Sequence, residues 1–250
     1  MERLAGGDLS EVVRVERLDG SAVVAKSGQV AAEAAMLRAI AEAGVPAPIV
    51  EGEFEGVLLL ESIANDGLFT PRAWGDIGAQ MRRLHRQTGE SYGWPVDFAL
   101  GTVEIDNRQG GDWRRFWIDQ RLLSTAATLD LPWRERLAEL QPKVAALLPE
   151  APRPALLHGD LWSGNILVRD GALAALIDPA CYHGDAEVDL AMLTLFAEPS
   201  TEFWDAYGPL AIGWKARRPV YQLFPALVHL RLFGPGYGPL VDRLMLDIAG

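Results

Sequence analysis

Two side chains five residues apart raise the first chemical question in this sequence. In "LLHGDLWSGNILV", residues 156–168, an apolar run breaks at His158-Gly159-Asp160, passes Trp162, reaches Asn165 and turns apolar again. An ordinary turn needs one Asn or Asp beside a Gly. This one places a carboxylate, an amide, a His and a Trp in a single short loop. A hairpin later a second apolar run, "ALAALID", ends in Asp178. A carboxylate can take the proton of an attacking hydroxyl, and carboxylate and amide oxygens are the hard ligands Mg²⁺ accepts. One base and two magnesium ligands on neighbouring strand ends are the parts that moving a phosphoryl group from ATP requires. Each alone reads as a turn or strand cap; the three in order point to that chemistry.

The spacing sharpens this. Protein-kinase catalytic loops read H-R-D-x-x-x-x-N, with the Asp as base, the Asn on a metal, and a second metal-binding Asp further on. His158, Asp160, Asn165 and Asp178 keep that order, and Asp160 to Asn165 keeps the interval. Lys26 ends "VVAK", much like the V-A-I-K strand whose Lys reaches the phosphates. Glu33 shares the apolar face of the next helix with Leu37 and Ile40; a buried carboxylate needs a partner, and Lys26 is the nearest cation. Gly6 and Gly7 would let backbone N–H groups approach phosphate, with Asp8 and Ser10 at the loop tip. The backbone of Glu61, Ser62 and Ile63, closing "LLLESI", would read an adenine edge.

These residues need elements to hold them. Residues 12–26 read as two strands around Asp19-Gly20, a hairpin signal. Val30 to Ala43 reads as a helix stopped by Gly44, and "IVEGEF" and "GVLLLES" as another strand pair. After Asn65-Asp66-Gly67 the character turns helical. One helix starts at Thr70-Pro71 with Trp74, Ile77, Met81 and Leu84 on one face, and one near Asp112 carries Trp113, Phe116 and Trp117. A third runs from Pro132 with Leu137, Leu140, Val144 and Leu147, where Pro142 would kink it. "NILV" and "ALAALID" form a hairpin around Arg169-Asp170-Gly171, and helices resume near Glu187 and in "VYQLFPALVHLRLF". The expected fold is α+β, a protein-kinase-like two-lobe fold. Residues 1–64 form a small antiparallel-sheet N-lobe that binds nucleotide, and 65–250 a larger, mainly helical C-lobe for catalysis and the acceptor.

Composition limits the alternatives. The 250 residues carry a net charge of −11, which argues against nucleic acid as the partner, since phosphate backbones call for a basic stripe. Cys181 is the single cysteine, so neither an intrachain disulfide nor a multi-Cys zinc site can form. No apolar run approaches a membrane span and "MERLAGGDLSEVV" lacks a signal-peptide pattern, so a cytoplasmic protein with no membrane partner is expected.

The overall order resembles the aminoglycoside phosphotransferase and choline kinase superfamily of small-molecule kinases. "HGDLWSGN" and "IDPACYHGDAEVDLAM" resemble more specifically the fructosamine/ketosamine 3-kinase family, with Trp162 after the base and Pro179 after the metal Asp. "YGW" at 92–94 and "DWRRFWIDQRL" extend the similarity over nearly the whole chain. The resemblance implies ATP- and Mg²⁺-dependent phosphorylation of the 3-hydroxyl of a ketosamine, a sugar–amine adduct formed by glycation. By position it makes Asp160 the proton acceptor, Asn165 and Asp178 metal ligands, Lys26 a phosphate contact and Glu61 to Ile63 the adenine hinge. Some relatives carry a subunit-linking Cys in the Gly-rich loop; this loop has none, and a monomer is expected. Two alternatives stand beside this reading: a kinase for another small alcohol or aminoglycoside, and a nucleotide-binding pseudokinase. His158, His183 and Asp189 read as supports and Cys181 as filler. Trp113, Phe116 and Trp117 read as core, and Trp162 as lining the acceptor site.

Overall fold

The hairpin at Asp19-Gly20 starts the sheet that holds Lys26. The computed structural model describes residues 2–3 and 11–250. Strands β1 (Glu2–Arg3), β2 (Val12–Glu16) and β3 (Ala22–Ser27) are followed by helix α1 (Val30–Glu42) and strands β4 (Val50–Phe54) and β5 (Val57–Glu61). Asp19 Oδ1 accepts from the Ser21 N–H and hydroxyl and closes the β2–β3 turn, while Gly20 takes the positive φ of +85° that the turn demands. The sheet order is β1-β2-β3-β5-β4, antiparallel throughout. Then come α2 (Pro71–Leu84), β6 (Phe98–Leu100), β7 (Val103–Ile105) and α3 (Trp113–Arg115). A π-helical stretch over Phe116–Leu123 runs on into α4 (Ser124–Ala126). The chain continues through α5 (Leu131–Leu147), β8 (Ala155–Leu157), β9 (Ile166–Arg169), β10 (Ala172–Leu176) and β11 (Tyr182–Gly184). Helices α6 (Glu187–Phe196), α7 (Thr201–Tyr207), α8 (Trp214–Phe233) and α9 (Gly238–Ala249) complete it.

The chain divides into two compact units that interleave in sequence. One comprises 1–87, 158–181 and 196–209; the other comprises 88–157, 182–195 and 210–250. In the first unit, Ala34 and Leu37 of α1 pack on Leu58 and Leu60 of β5 in a small apolar core. Thr70 caps α2 by accepting from Ala73 N–H, and the buried face of that helix carries the expected Trp74, Ile77, Met81 and Leu84. Helices α2 and α7 approach so closely that a Cβ on Gly78 would lie 2.3 Å from the Phe203 carbonyl oxygen.

The second unit is organised around aromatic rings. Trp113, Phe116 and Trp117 are buried among Tyr92, Tyr182, Tyr221 and Phe224. Arg121 lies fully inside this cluster, 4.2 Å above the Tyr182 ring and 4.5 Å above Phe116. Its guanidinium donates to the Asp106 carbonyl and to Asn107 Oδ1, replacing water with hydrogen bonds and ring faces. Pro142 lies inside α5, which continues past it to Leu147. Among the described residues no helix is long and apolar enough to cross a membrane.

Candidate active site

Lys26 stands near the end of β3, between Val12 of β2 and Leu58 of β5, with its side chain only 11% exposed. The chain turns at Gly28 and enters α1, which brings Glu33, in the first turn of that helix, back over the strand. Lys26 Nζ donates to Glu33 Oε1 at 2.9 Å and to Asp178 Oδ1 at 2.7 Å. Burial pulls the Lys26 ammonium down, but the charges and hydrogen bonds of the two carboxylates outweigh it and hold its pKa above the usual value. Burial pushes the Glu33 carboxyl up against the opposing pull of Lys26. The pairing of Lys26 with Glu33, expected from one buried carboxylate on a helix face, is present, and Asp178 joins it.

The loop after β8 is built on close backbone approach. Gly159 has φ +83°, and a Cβ there would lie 1.9 Å from the Ala180 carbonyl oxygen, so no other residue fits. Ala180 N–H donates to the His158 carbonyl at 2.9 Å, fixing the two segments side by side. His158 is fully buried. Its Nε2 lies 3.0 Å from the Ile177 carbonyl oxygen, so that nitrogen carries the proton and Nδ1 faces the Asp160 N–H at 3.4 Å. The ring is therefore a brace between the loop and the strand leading to Asp178, as its sequence position suggested.

Asp160 and Asn165 meet directly. Asn165 Nδ2 donates to the Asp160 carbonyl at 2.9 Å and to Asp160 Oδ2 at 3.0 Å. With Nδ2 so committed, Asn165 Oδ1 is the atom left for a cation. Strands β9 and β10 then fold Asp178 back beside it: Ile177 N–H donates to the Asn165 carbonyl at 3.0 Å. Asp178 itself has φ +53°, a left-handed conformation that Asp tolerates better than most residues. No group of three or more His, Cys, Asp or Glu among the described residues could hold a metal alone. Asn165 and Asp178 supply two hard oxygens, a donor set that fits Mg²⁺ completing its shell with phosphate oxygens and water.

Trp162 leaves the core, 39% exposed. Its indole is packed on the backbone of Gly164, where a Cβ would lie 2.3 Å from the ring. Glu61 N–H donates to the Ile49 carbonyl at 2.9 Å and its carboxylate accepts from Ile49 N–H. Glu61 therefore braces the end of β5, through its N–H and its carboxylate. Gly6, Gly7 and Ser10 lie outside the described residues. Lys26, Glu33, Glu61 to Ile63, Asp160, Trp162, Asn165 and Asp178 all belong to the first compact unit.

Sequence reading missed several supports. Gly159 carried a signal, a glycine between His158 and the candidate base Asp160. Asn65, Asp66 and Asp76 carried none: the first two read as a turn, yet all three accept hydrogen bonds from amides of β9, β10 or their connecting turn. His183 sits in the second unit against Trp94, with burial pulling its pKa down. Cys181 is fully buried, its N–H 3.2 Å from Met36 Sδ.

Comparison with known proteins places nearly the whole length in one family. The sequence model of the family "Fructosamine kinase" matches residues 2–249. A "Probable ketoamine kinase" of Thermus thermophilus is 38% identical over 94% of this chain and 88% of its own length. One from Enterococcus faecium is 34% identical over 97% of this chain and 92% of its own. The crystal structure of a "putative fructosamine-3-kinase" from Thermobifida fusca superposes with a TM-score of 0.90 at 31% identity, covering 99% of this chain and 92% of that one. The fold is the two-lobe α+β fold with a small antiparallel N-lobe sheet and a larger helical C-lobe.

Proposed function

Since this chain belongs to the fructosamine kinase family and is an ATP-dependent phosphotransferase of small molecules, we propose that its acceptor is a ketosamine phosphorylated on the 3-hydroxyl. The observation that carries the site assignment is the double ion pair of Lys26 with Glu33 and Asp178, beside the hydrogen-bonded pair Asp160–Asn165. In this reading Lys26 contacts the phosphates, and Glu33 keeps it charged and aimed. The backbone of Glu61, Ser62 and Ile63 reads the adenine edge, and Gly6, Gly7 and Ser10 bind phosphate. Asn165 and Asp178 hold Mg²⁺, which supplies charge compensation on the transferred group. Asp160, held by Asn165 Nδ2 on one oxygen, accepts the proton of the acceptor hydroxyl. Residues 1–64 act as the nucleotide-binding lobe and 65–250 as the catalytic and acceptor-binding lobe, in a cytoplasmic monomer.

The exposed Trp162 indole, two residues from Asp160, favours a fructosyl- or ribulosyl-amine over other alcohols. It presents a flat apolar face that suits one sugar chain, whereas a multi-ring polycation calls for an acidic cluster. The test compares kcat/KM for ribulosyl-lysine, fructosyl-lysine, kanamycin, homoserine and choline, and then locates the phosphate by ³¹P NMR. Preference for a ketosamine with phosphate on the third hydroxyl is expected. Turnover of kanamycin or choline with none on either ketosamine would overturn the assignment.

A further inference from the structure

The hairpin β9–β10 is flanked by Asn165 and Ile177-Asp178, which meet at its open end, yet among the described residues it is a sheet of two strands. Such a hairpin is marginal alone, and its outer backbone groups need partners. They come from the segment that leaves β5. Asn65 Oδ1 accepts from Val168 N–H at 3.1 Å, Asp66 N–H donates to the Val168 carbonyl at 2.9 Å, and Asp66 Oδ2 accepts from Asp170 N–H at 2.9 Å. Residues 65 and 66 thus stand in for a third strand along the outer edge of β9.

The same two side chains stiffen their own backbone. Asn65 Oδ1 also accepts from Gly67 N–H, and Asp66 Oδ1 from Leu68 N–H, both at 2.9 Å. These are local Asx turns. Every acceptor oxygen engaged here takes a backbone amide, so the segment is a rigid strap and not a slack linker. Its position matters as much as its geometry. Asn65 lies two residues beyond Ile63, where the chain leaves the adenine-reading edge. The strap therefore runs from that edge to the hairpin that presents both metal ligands.

We propose that Asn65 and Asp66 are positioning residues for phosphoryl transfer, clamping the metal-bearing hairpin to the segment that binds the nucleotide base. The proposal rests on the site reading given above. Mg²⁺ demands near-ideal octahedral geometry with short metal–oxygen distances, so a hairpin free to slide loses metal-dependent binding first. Adenine recognition, which needs no contact with the hairpin, stays intact.

Three variants test this: Asn65→Ala, Asp66→Ala and Asn65→Asp. The last keeps the oxygen that accepts from Val168 and Gly67. Dissociation constants for MgATP and for adenosine are measured together with amide hydrogen exchange at Val168 and Asp170. Each alanine variant is expected to weaken MgATP binding about fivefold to tenfold, the equivalent of one or two net hydrogen bonds, with adenosine affinity held within about twofold. Exchange at Val168 should rise in Asn65→Ala, and Asn65→Asp should restore MgATP affinity to within about twofold of wild type. Equal losses for adenosine and MgATP would overturn the proposal, because the side chains would then be touching the nucleoside. So would faster exchange or a lower Tm with both affinities unchanged, which is the signature of a plain structural cap. Failure of Asn65→Asp to rescue would overturn it as well. A wild-type protein that binds adenosine but not MgATP would instead remove the phosphoryl-transfer reading on which the proposal stands.

Discussion

Removing Glu33 tests the phosphate-binding half of the site most directly. The Lys26 ammonium is 11% exposed and held between Glu33 at 2.9 Å and Asp178 at 2.7 Å. In Glu33→Ala it keeps Asp178 alone, the carboxylate assigned to the metal. Breaking a fully buried pair by deleting one partner costs about 3–5 kcal/mol. Here a second carboxylate remains and the group is not wholly dry, so about half of that, ~2 kcal/mol, is the expected loss of transition-state stabilisation. That corresponds to a fall of about 30-fold in kcat/KM for ATP, read by coupled ADP release. Glu33→Gln retains an accepting oxygen toward Nζ and should fall between wild type and Ala.

The pH dependence fixes the sign independently. Burial depresses the Lys26 pKa and the two carboxylates raise it above its usual value. Stability linked to Lys26 is therefore fully present below its unfolded pKa and lost as pH rises through the folded one. Deleting Glu33 leaves burial less opposed, so the alkaline limb of kcat/KM for ATP should move to lower pH. A Glu33→Ala enzyme with kcat/KM within about twofold of wild type and an unmoved alkaline limb would refute the reasoning.

Asp160→Asn should cut kcat by roughly 10²–10⁴-fold while nucleotide affinity changes little, because an amide oxygen can still accept from Asn165 Nδ2 but cannot take the proton. Single-turnover kinetics beside ADP titration would show it, and near-normal turnover would sink the base assignment. In the second unit, burial pushes the Tyr182 phenol up to about 12, and burial followed by Asp185 raises Tyr221 well above its usual value. A raised folded pKa means stability that is present below pH ~10 and lost as pH climbs toward 12, roughly 3 kcal/mol for Tyr182. Tyr182→Phe should flatten the alkaline fall in stability; absorbance at 295 nm showing every tyrosine ionising near pH 10 in the folded protein would contradict this.

Much of the site was legible because its residues sit where local rules are strong. Asp19-Gly20 and Asp170-Gly171 each announce a hairpin, and Thr70-Pro71 a helix start, so local sequence alone places Lys26, Asn165 and Asp178 on strand ends. Glu33 could be paired with Lys26 because a carboxylate among Ala34, Met36, Leu37 and Ile40 has no cheap alternative. What stayed hidden depends on partners remote in sequence. Asn65 and Asp66 look like turn residues until Val168 and Asp170 arrive a hundred residues later. The interleaving of 158–181 with the N-terminal sheet has the same origin, since a composition shift near residue 65 marks a change of element type and not of packing partner. The π-helical stretch over Phe116–Leu123, which carries Arg121 buried among three rings, is likewise something periodicity does not express.

Asn165 and Asp178, the proposed metal ligands, show how far strand arithmetic reaches. Asp170 and Gly171 both take positive φ, the requirement of a two-residue hairpin turn, so Arg169 pairs with Ala172 and Val168 with Leu173. Continued without interruption, that register would set Asn165 opposite Leu176. A bulge between Leu173 and Ala175 shifts it by one: Leu167 pairs with Ala175, Ile166 with Leu176, and the Ile177 N–H reaches the Asn165 carbonyl. The extra residue also puts Leu176 on the buried face with Ile166, where simple alternation from Leu173 would have put Ile177. Nothing in "ALAALID" announces this, for it holds neither Gly nor Pro. The shift is held from outside the hairpin, where the Pro46 carbonyl takes the Leu176 N–H at 2.9 Å and Asp76 takes that of Leu173 at 2.8 Å. The types and order of the two proposed metal ligands are thus a property of the hairpin sequence, whereas their final aim is imposed by the loop before β4 and by helix α2.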